Sequence, residues 1–159
     1  MAQRVTTVGF DADDTLWHNE RFFKDTQARF ADLLADHTDR AGLDARLEAA
    51  ERRNIGHYGF GVKGFTLSMI ETAIEVTDGR VPAGVIAELM AAGIETASRN
   101  GAHVVNVSFG TPNQGKALML NDCCANAVGA GSLVLAAAHP AGMRVYPAEL
   151  PESVAVGAD

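Results

Sequence analysis

The chain has 159 residues, 47% of them hydrophobic and 21% charged, enough for one domain with a buried core and unlike a disordered composition. Its net charge of −7 argues against nucleic acid or an anionic membrane as partners, since both need basic patches. No apolar run approaches the roughly 20 residues that span a bilayer, and no secretory signal is visible.

Val5 to Phe10 is a short apolar run that reads as a strand, and it leads straight into Asp11, Asp13 and Asp14. From Glu20 to Asp36, Phe22, Phe23, Phe30, Leu33 and Leu34 recur at helical spacing. A second helix is expected to begin at Asp44 as N-cap and run through Arg53. Asn54 to Gly64 holds four glycines in eleven residues and reads as a loop. Thr66 is expected to cap a third helix with Leu67, Ile70, Ala73 and Ile74 on one face, ended by Asp78-Gly79. Pro82 opens a fourth, which Asn100-Gly101 closes.

Beyond that point the elements alternate. His103 to Ser108 reads as a strand, Lys116 to Val128 as a helix, Ser132 to Ala138 and Ser153 to Val156 as strands. Strands separated by helices imply parallel pairing. The expected fold is α/β: a short parallel, Rossmann-like sheet flanked by helices, with a helical cap-like segment near residues 20–93. Composition shifts along the chain. Residues 1–95 carry 10 Lys/Arg and 16 Asp/Glu against 3 and 4 in the remainder, which marks a domain boundary or a junction of sequences of different origin.

Three carboxylates within four positions repel one another, so the cluster implies a cation, a phosphoryl-transfer centre or a solvated turn. At the carboxyl end of a parallel strand, where ligands gather, Asp11 is placed to attack phosphorus and Asp13 to act as general acid, then base. Mg²⁺ suits such a pair because it offsets their repulsion of a phosphate. Asp14 reads as a solvated or capping carboxylate. His18, His37 and His57 have no metal-ligand spacing. Gly59-x-Gly61-x-x-Gly64 has the outline of a nucleotide fingerprint but follows no strand. Cys123 and Cys124 are adjacent and read as free, unreactive thiols on a helix, one buried and one half-exposed, in a reducing cytoplasm.

Phe10-Asp11-Ala12-Asp13-Asp14-Thr15-Leu16-Trp17 resembles motif I of the haloacid dehalogenase (HAD) superfamily, and the resemblance continues through the helical segment to residue 93. It implies a Mg²⁺-dependent phosphatase with Asp11 as nucleophile and metal ligand. Asp13 would be acid/base and a metal ligand through its backbone carbonyl, Thr15 a loop support, and the substrate a small phosphorylated molecule. Ser108 and Lys116 are the candidates for the further phosphate contacts such a site needs. Asp159 is the candidate for a third acid, whereas Leu133 to Ala138 supplies none.

Residues 94–159 resemble part of a subtilisin-family serine protease, through Ala102 to Gly110, Ser132 to Ala138, and Tyr146-Pro147-Ala148 with Ser153 to Ala158. By that likeness Ser108, Phe109 and Gly110 would line a peptide cleft. Where the family's oxyanion-binding Asn is expected, the chain reads Ala137-Ala138-His139-Pro140, and no catalytic Ser segment follows. Proteolysis is therefore not implied. Two resemblances meeting near residues 93–98 imply a composite chain of two parts, 1–93 and 94–159. The alternative to an enzyme is a non-catalytic, chimeric or truncated α/β protein. Neither nucleic acid nor membrane is an expected partner, and self-association is allowed.

Overall fold

Helices dominate the first part of the chain because its apolar residues recur every three or four positions, and the strands come later. The computed structural model describes residues 20–112 and 114–157. In order these form α1 (Glu20–Leu33), α2 (Arg40–Tyr58), α3 (Val62–Val76), α4 (Ala83–Arg99), β1 (Val104–Val107), α5 (Gln114–Gly129), β2 (Leu133–Ala137) and β3 (Ser153–Val156). The strand expected at residues 5–10 lies outside the described residues, as does Asp159.

The three strands are parallel in the order β1-β2-β3, with Val104 opposite Leu133 and Leu135 opposite Val154. The architecture is thus helix-rich α/β around a short parallel sheet, as the alternation of elements implies. Val105, Val107 and Val134 point to the covered face, where Ile94 of α4 and Leu120, Cys123, Cys124 and Ala127 of α5 pack on them. Val104, Leu133, Val154 and Val156 lie on the opposite face and remain about half exposed. Parallel sheets are ordinarily covered on both faces; among the described residues α4 and α5 cover one.

A second core gathers Phe30 and Leu34 from the α1 region, Leu43 and Leu47 from α2, Phe65, Met69 and Ala73 from α3, and Leu89 from α4. Helix α4 therefore belongs to both cores: Leu89 faces one, Ala91 and Ile94 the other. A hydrogen bond of 2.9 Å between the Thr26 and Thr96 hydroxyls fastens α1 to α4. Arg29 adds surface ion pairs to Glu88 and Glu95, at 3.9 and 3.4 Å, which contribute little on an exposed face.

Four details differ from the sequence expectations. Helix α2 starts a turn earlier than Asp44: Asp39 is the N-cap, with extended backbone (φ −72°, ψ 161°), and its Oδ1 accepts from the Gly42 N–H at 2.6 Å. Asp39→Ala is expected to cost about 1 kcal/mol, the usual value of a lost cap. An unchanged urea midpoint would remove the cap from the account.

The glycine-rich segment is mostly helical. Only Gly59-Phe60-Gly61 separates α2 from α3, with Gly56 inside α2 and Gly64 inside α3. Gly59 and Gly61 take positive φ (74° and 98°), and Gly64 permits close approach, since a Cβ there would sit 2.5 Å from the Gly59 carbonyl oxygen. Tertiary packing thus outweighs the helix penalty of about 1 kcal/mol per glycine.

Helix α3 begins at Val62, so Thr66 lies in its interior rather than at its cap. The buried face is Phe65, Ser68, Met69, Thr72 and Ala73, while Ile74 is largely exposed. Two polar residues, Ser68 and Thr72, occupy core positions that a purely apolar count passes over. Finally, both Cys123 and Cys124 are buried, because α5 packs against both its neighbour α4 and the sheet and meets protein on two sides.

Candidate functional site

Three chain segments leave the sheet at the carboxyl ends of the strands, where an α/β fold presents its ligands. Ser108 follows the last residue of β1 and is exposed; the Asn106 Nδ2 donates to its Oγ at 3.1 Å. That bond occupies an acceptor position on Oγ and leaves the hydroxyl proton to donate elsewhere. Phe109 turns inward onto the sheet-side core. Gly110 passes Val145 so closely that a Cβ would stand 3.0 Å from the Val145 Cβ. Thr111 then pairs with Tyr146 through two backbone hydrogen bonds of 2.9 Å. The β1 exit is therefore tied to the 145–148 segment, not left as a free loop.

After β2, the Ala138 N–H donates to the Val156 carbonyl at 2.9 Å. His139 is half-buried, and its Nδ1 accepts from the Ala141 N–H at 3.2 Å, which in the neutral ring puts the proton on Nε2. Pro140 follows it and has no N–H to offer. Lys116 falls in the first turn of α5, with its side chain outside the described residues. Asp11, Asp13, Thr15 and Asp159 lie outside them altogether. The structure thus brings Ser108, Phe109 and Gly110 to one strand end and puts Lys116 on the helix that follows. Among the described residues, no group of three or more His, Cys, Asp or Glu side chains could hold a metal ion.

A second constellation, absent from the sequence reading, lies between α2 and α3. Asn54 is buried, and its Nδ2 donates to the Ser68 Oγ at 3.2 Å and to a Glu71 oxygen at 2.8 Å. The Tyr58 hydroxyl donates to the other Glu71 oxygen at 3.2 Å, and Arg53 stands 3.6 Å from Glu71. These groups hold the Glu71 carboxyl below its usual range, the Asn54 hydrogen bond first among them. Beside this network is a small cavity of about 130 Å³, with walls from α1, α2, α3 and the Gly59–Gly61 turn. Phe23 and Phe65 line it edge to face, with ring centroids 5.1 Å apart, and Phe60 of the turn flanks it. Glu51 is the one charged residue in the lining, and its pKa is raised, first by burial and then by the charge of Glu48. The only local trace of this cavity in the sequence is the pair of glycines around Phe60.

Among solved structures, the chain is similar to a haloacid dehalogenase-like family hydrolase from Xanthomonas campestris, with a TM-score of 0.52 and 36% sequence identity over 86% of this chain and 53% of that one. The chain spans about half the length of that hydrolase. A match over 86% of the chain extends past residue 93, beyond the part in which the sequence alone suggested this likeness. No protein-family model matches the sequence, and no curated protein matches it. No described helix is long and apolar enough to cross a membrane.

Proposed function

We propose that the chain belongs to the HAD superfamily and carries the phosphoryl-transfer aspartates of a HAD-type phosphatase, in a form whose turnover is weak or absent. The observation that carries this reading is the 36% identity to a HAD-like hydrolase over 86% of the chain, joined to motif I at residues 10–17. In the proposed reaction an Asp11 oxygen attacks the phosphorus of a small phosphomonoester. The bond to the leaving oxygen breaks as Asp13 gives it a proton. Water, deprotonated by Asp13, then attacks the same phosphorus, and the bond to Asp11 breaks to release inorganic phosphate.

Mg²⁺ would supply charge neutralisation between the carboxylates and the phosphate. Asp11 through its carboxylate and Asp13 through its backbone carbonyl are the residues proposed to hold it; oxygen ligands of this kind suit a hard ion that keeps most of its water. Ser108 supports the reading in a second way: its exposed hydroxyl stands at a strand end with a proton free for an anion. The weakness of the proposed activity rests on β2, which ends in Ala137-Ala138-His139-Pro140 and offers no carboxylate at the neighbouring strand end.

The test is hydrolysis of a generic phosphate ester with Mg²⁺, comparing the protein with Asp11→Asn. The expected result is slow turnover that the substitution abolishes. Equal background rates in both proteins would favour the second reading, a non-catalytic α/β protein, which the acid-free end of β2 supports. Proteolysis forms no part of the proposal, because Pro140 has no donor for a tetrahedral intermediate.

A further inference from the structure

Three carboxylates of α2 and α3 near the small cavity are matched to arginines. Glu48 pairs with Arg52 at 2.6 Å, Glu71 with Arg53 at 3.6 Å and Glu75 with Arg46 at 2.9 Å. Glu51 stands among them, half-buried, and makes no ion pair with any described residue. It lines the small cavity between α1, α2 and α3 instead, together with Phe23, Phe60 and Phe65.

A half-buried carboxylate against aromatic walls is costly unless a cation joins it. The faces of aromatic rings attract cations as well, most strongly cations that shed water easily. Phe23 and Phe65 meet edge to face at 78°, and Phe60, 86% exposed on the turn, lines the cavity with them. No Lys or Arg lines the cavity, which disfavours an anionic occupant. Its volume of about 130 Å³ suits a ligand of benzene size. Nucleotides and sugar phosphates are too large.

We propose that this cavity binds a small alkylated ammonium ion, with Glu51 holding the charge and Phe23, Phe60 and Phe65 contacting the methyl groups. The proposal is independent of any chemistry at Asp11. Asn54 and Ser68 also line the cavity, and the Asn54 Nδ2 already donates to the Ser68 Oγ and to Glu71. Burial and the neighbouring Glu48 both penalise the bare Glu51 anion, and a bound cation would relieve both penalties.

The test uses the full chain, labelled with ¹⁵N and titrated with tetramethylammonium chloride, with sodium chloride at equal ionic strength as reference. Saturable shifts at the amides of Gly59, Gly61 and Gly64 are expected, since these residues line the cavity. Glu51→Gln is expected to weaken binding about tenfold, in the range of a desolvated cation–π and charge contact. Phe60→Ala removes an exposed ring and leaves both cores untouched, so its expected severalfold loss has no folding explanation. Three outcomes would overturn the proposal: no saturable shift, undiminished affinity in both variants, or equal affinity for choline and its uncharged carbon analogue 3,3-dimethylbutan-1-ol.

Discussion

Phe30→Ala is expected to lower stability by about 3–5 kcal/mol, the usual cost of removing a large buried ring and leaving a cavity. Phe30 is 1% exposed and sits in the core that α1, α2, α3 and α4 build together. Its ring is a major filler of that core, and rigid helices on several sides limit how far the site can collapse. Natural domains are stable by only about 5–15 kcal/mol, so one substitution of this size would take much of the total. Phe60→Ala is the matched control: the same ring is lost from a position 86% exposed, and stability is expected to change by less than about 0.5 kcal/mol. Urea denaturation of both variants measures the difference. Equal midpoints would mean that α1 does not pack as described.

The second large effect is chemical. Burial, then the charge of Glu95, pushes the Cys123 thiol up to about 12; burial, then Glu152, pushes Cys124 up to about 11. Against an ordinary value of 9.0, thiolate at pH 8 is about a thousandfold rarer for Cys123 and about a hundredfold rarer for Cys124. Iodoacetamide is therefore expected to modify the folded protein at least a hundredfold more slowly than the protein in urea. Modification of either thiol at the unfolded rate would show that α5 is not seated as described. The same shifts fix the direction of a pH effect. Both folded-state values are raised, so above about pH 9 the unfolded chain loses protons that the folded chain keeps, and stability falls as pH rises through about 11.

Much of the architecture was legible in residue order. Pro82, Asn100-Gly101 and the run from Ser153 to Val156 each carry a local signal, and the structure puts boundaries there. Starts of helices were harder, because Asp39 and Asp44 are equally good caps on composition and only the bond to Gly42 distinguishes them. The glycine-rich segment misled for a different reason: Gly64 serves a close approach to Gly59, and a contact between backbones leaves no pattern in side chains. Ser68 was missed as a core residue because its partner Asn54 belongs to another helix.

Asp11 and Asp13 stand out in the sequence because they are two positions apart, but they lie outside the described residues. The position of Ser108 at the end of β1 was legible, because a strand end is a fixed place in this class of fold. The aromatic cavity was not readable. Phe23, Glu51, Phe60 and Phe65 come from three helices and a turn and have no common spacing, so only folding makes them neighbours.

Helix α4 runs unbroken from Ala83 to Arg99, across residue 93 where a boundary was expected from the sequence. It gives Leu89 to one core, then Ala91 and Ile94 to the other within little more than a turn. Whatever the origin of the two parts, neither has a complete wall without this helix. Loosening the packing around Phe30 withdraws support from α4, and so from the sheet; disturbing the cysteine face of α5 acts in reverse. One helix serves as a wall of both cores, so the two are expected to hold or melt together.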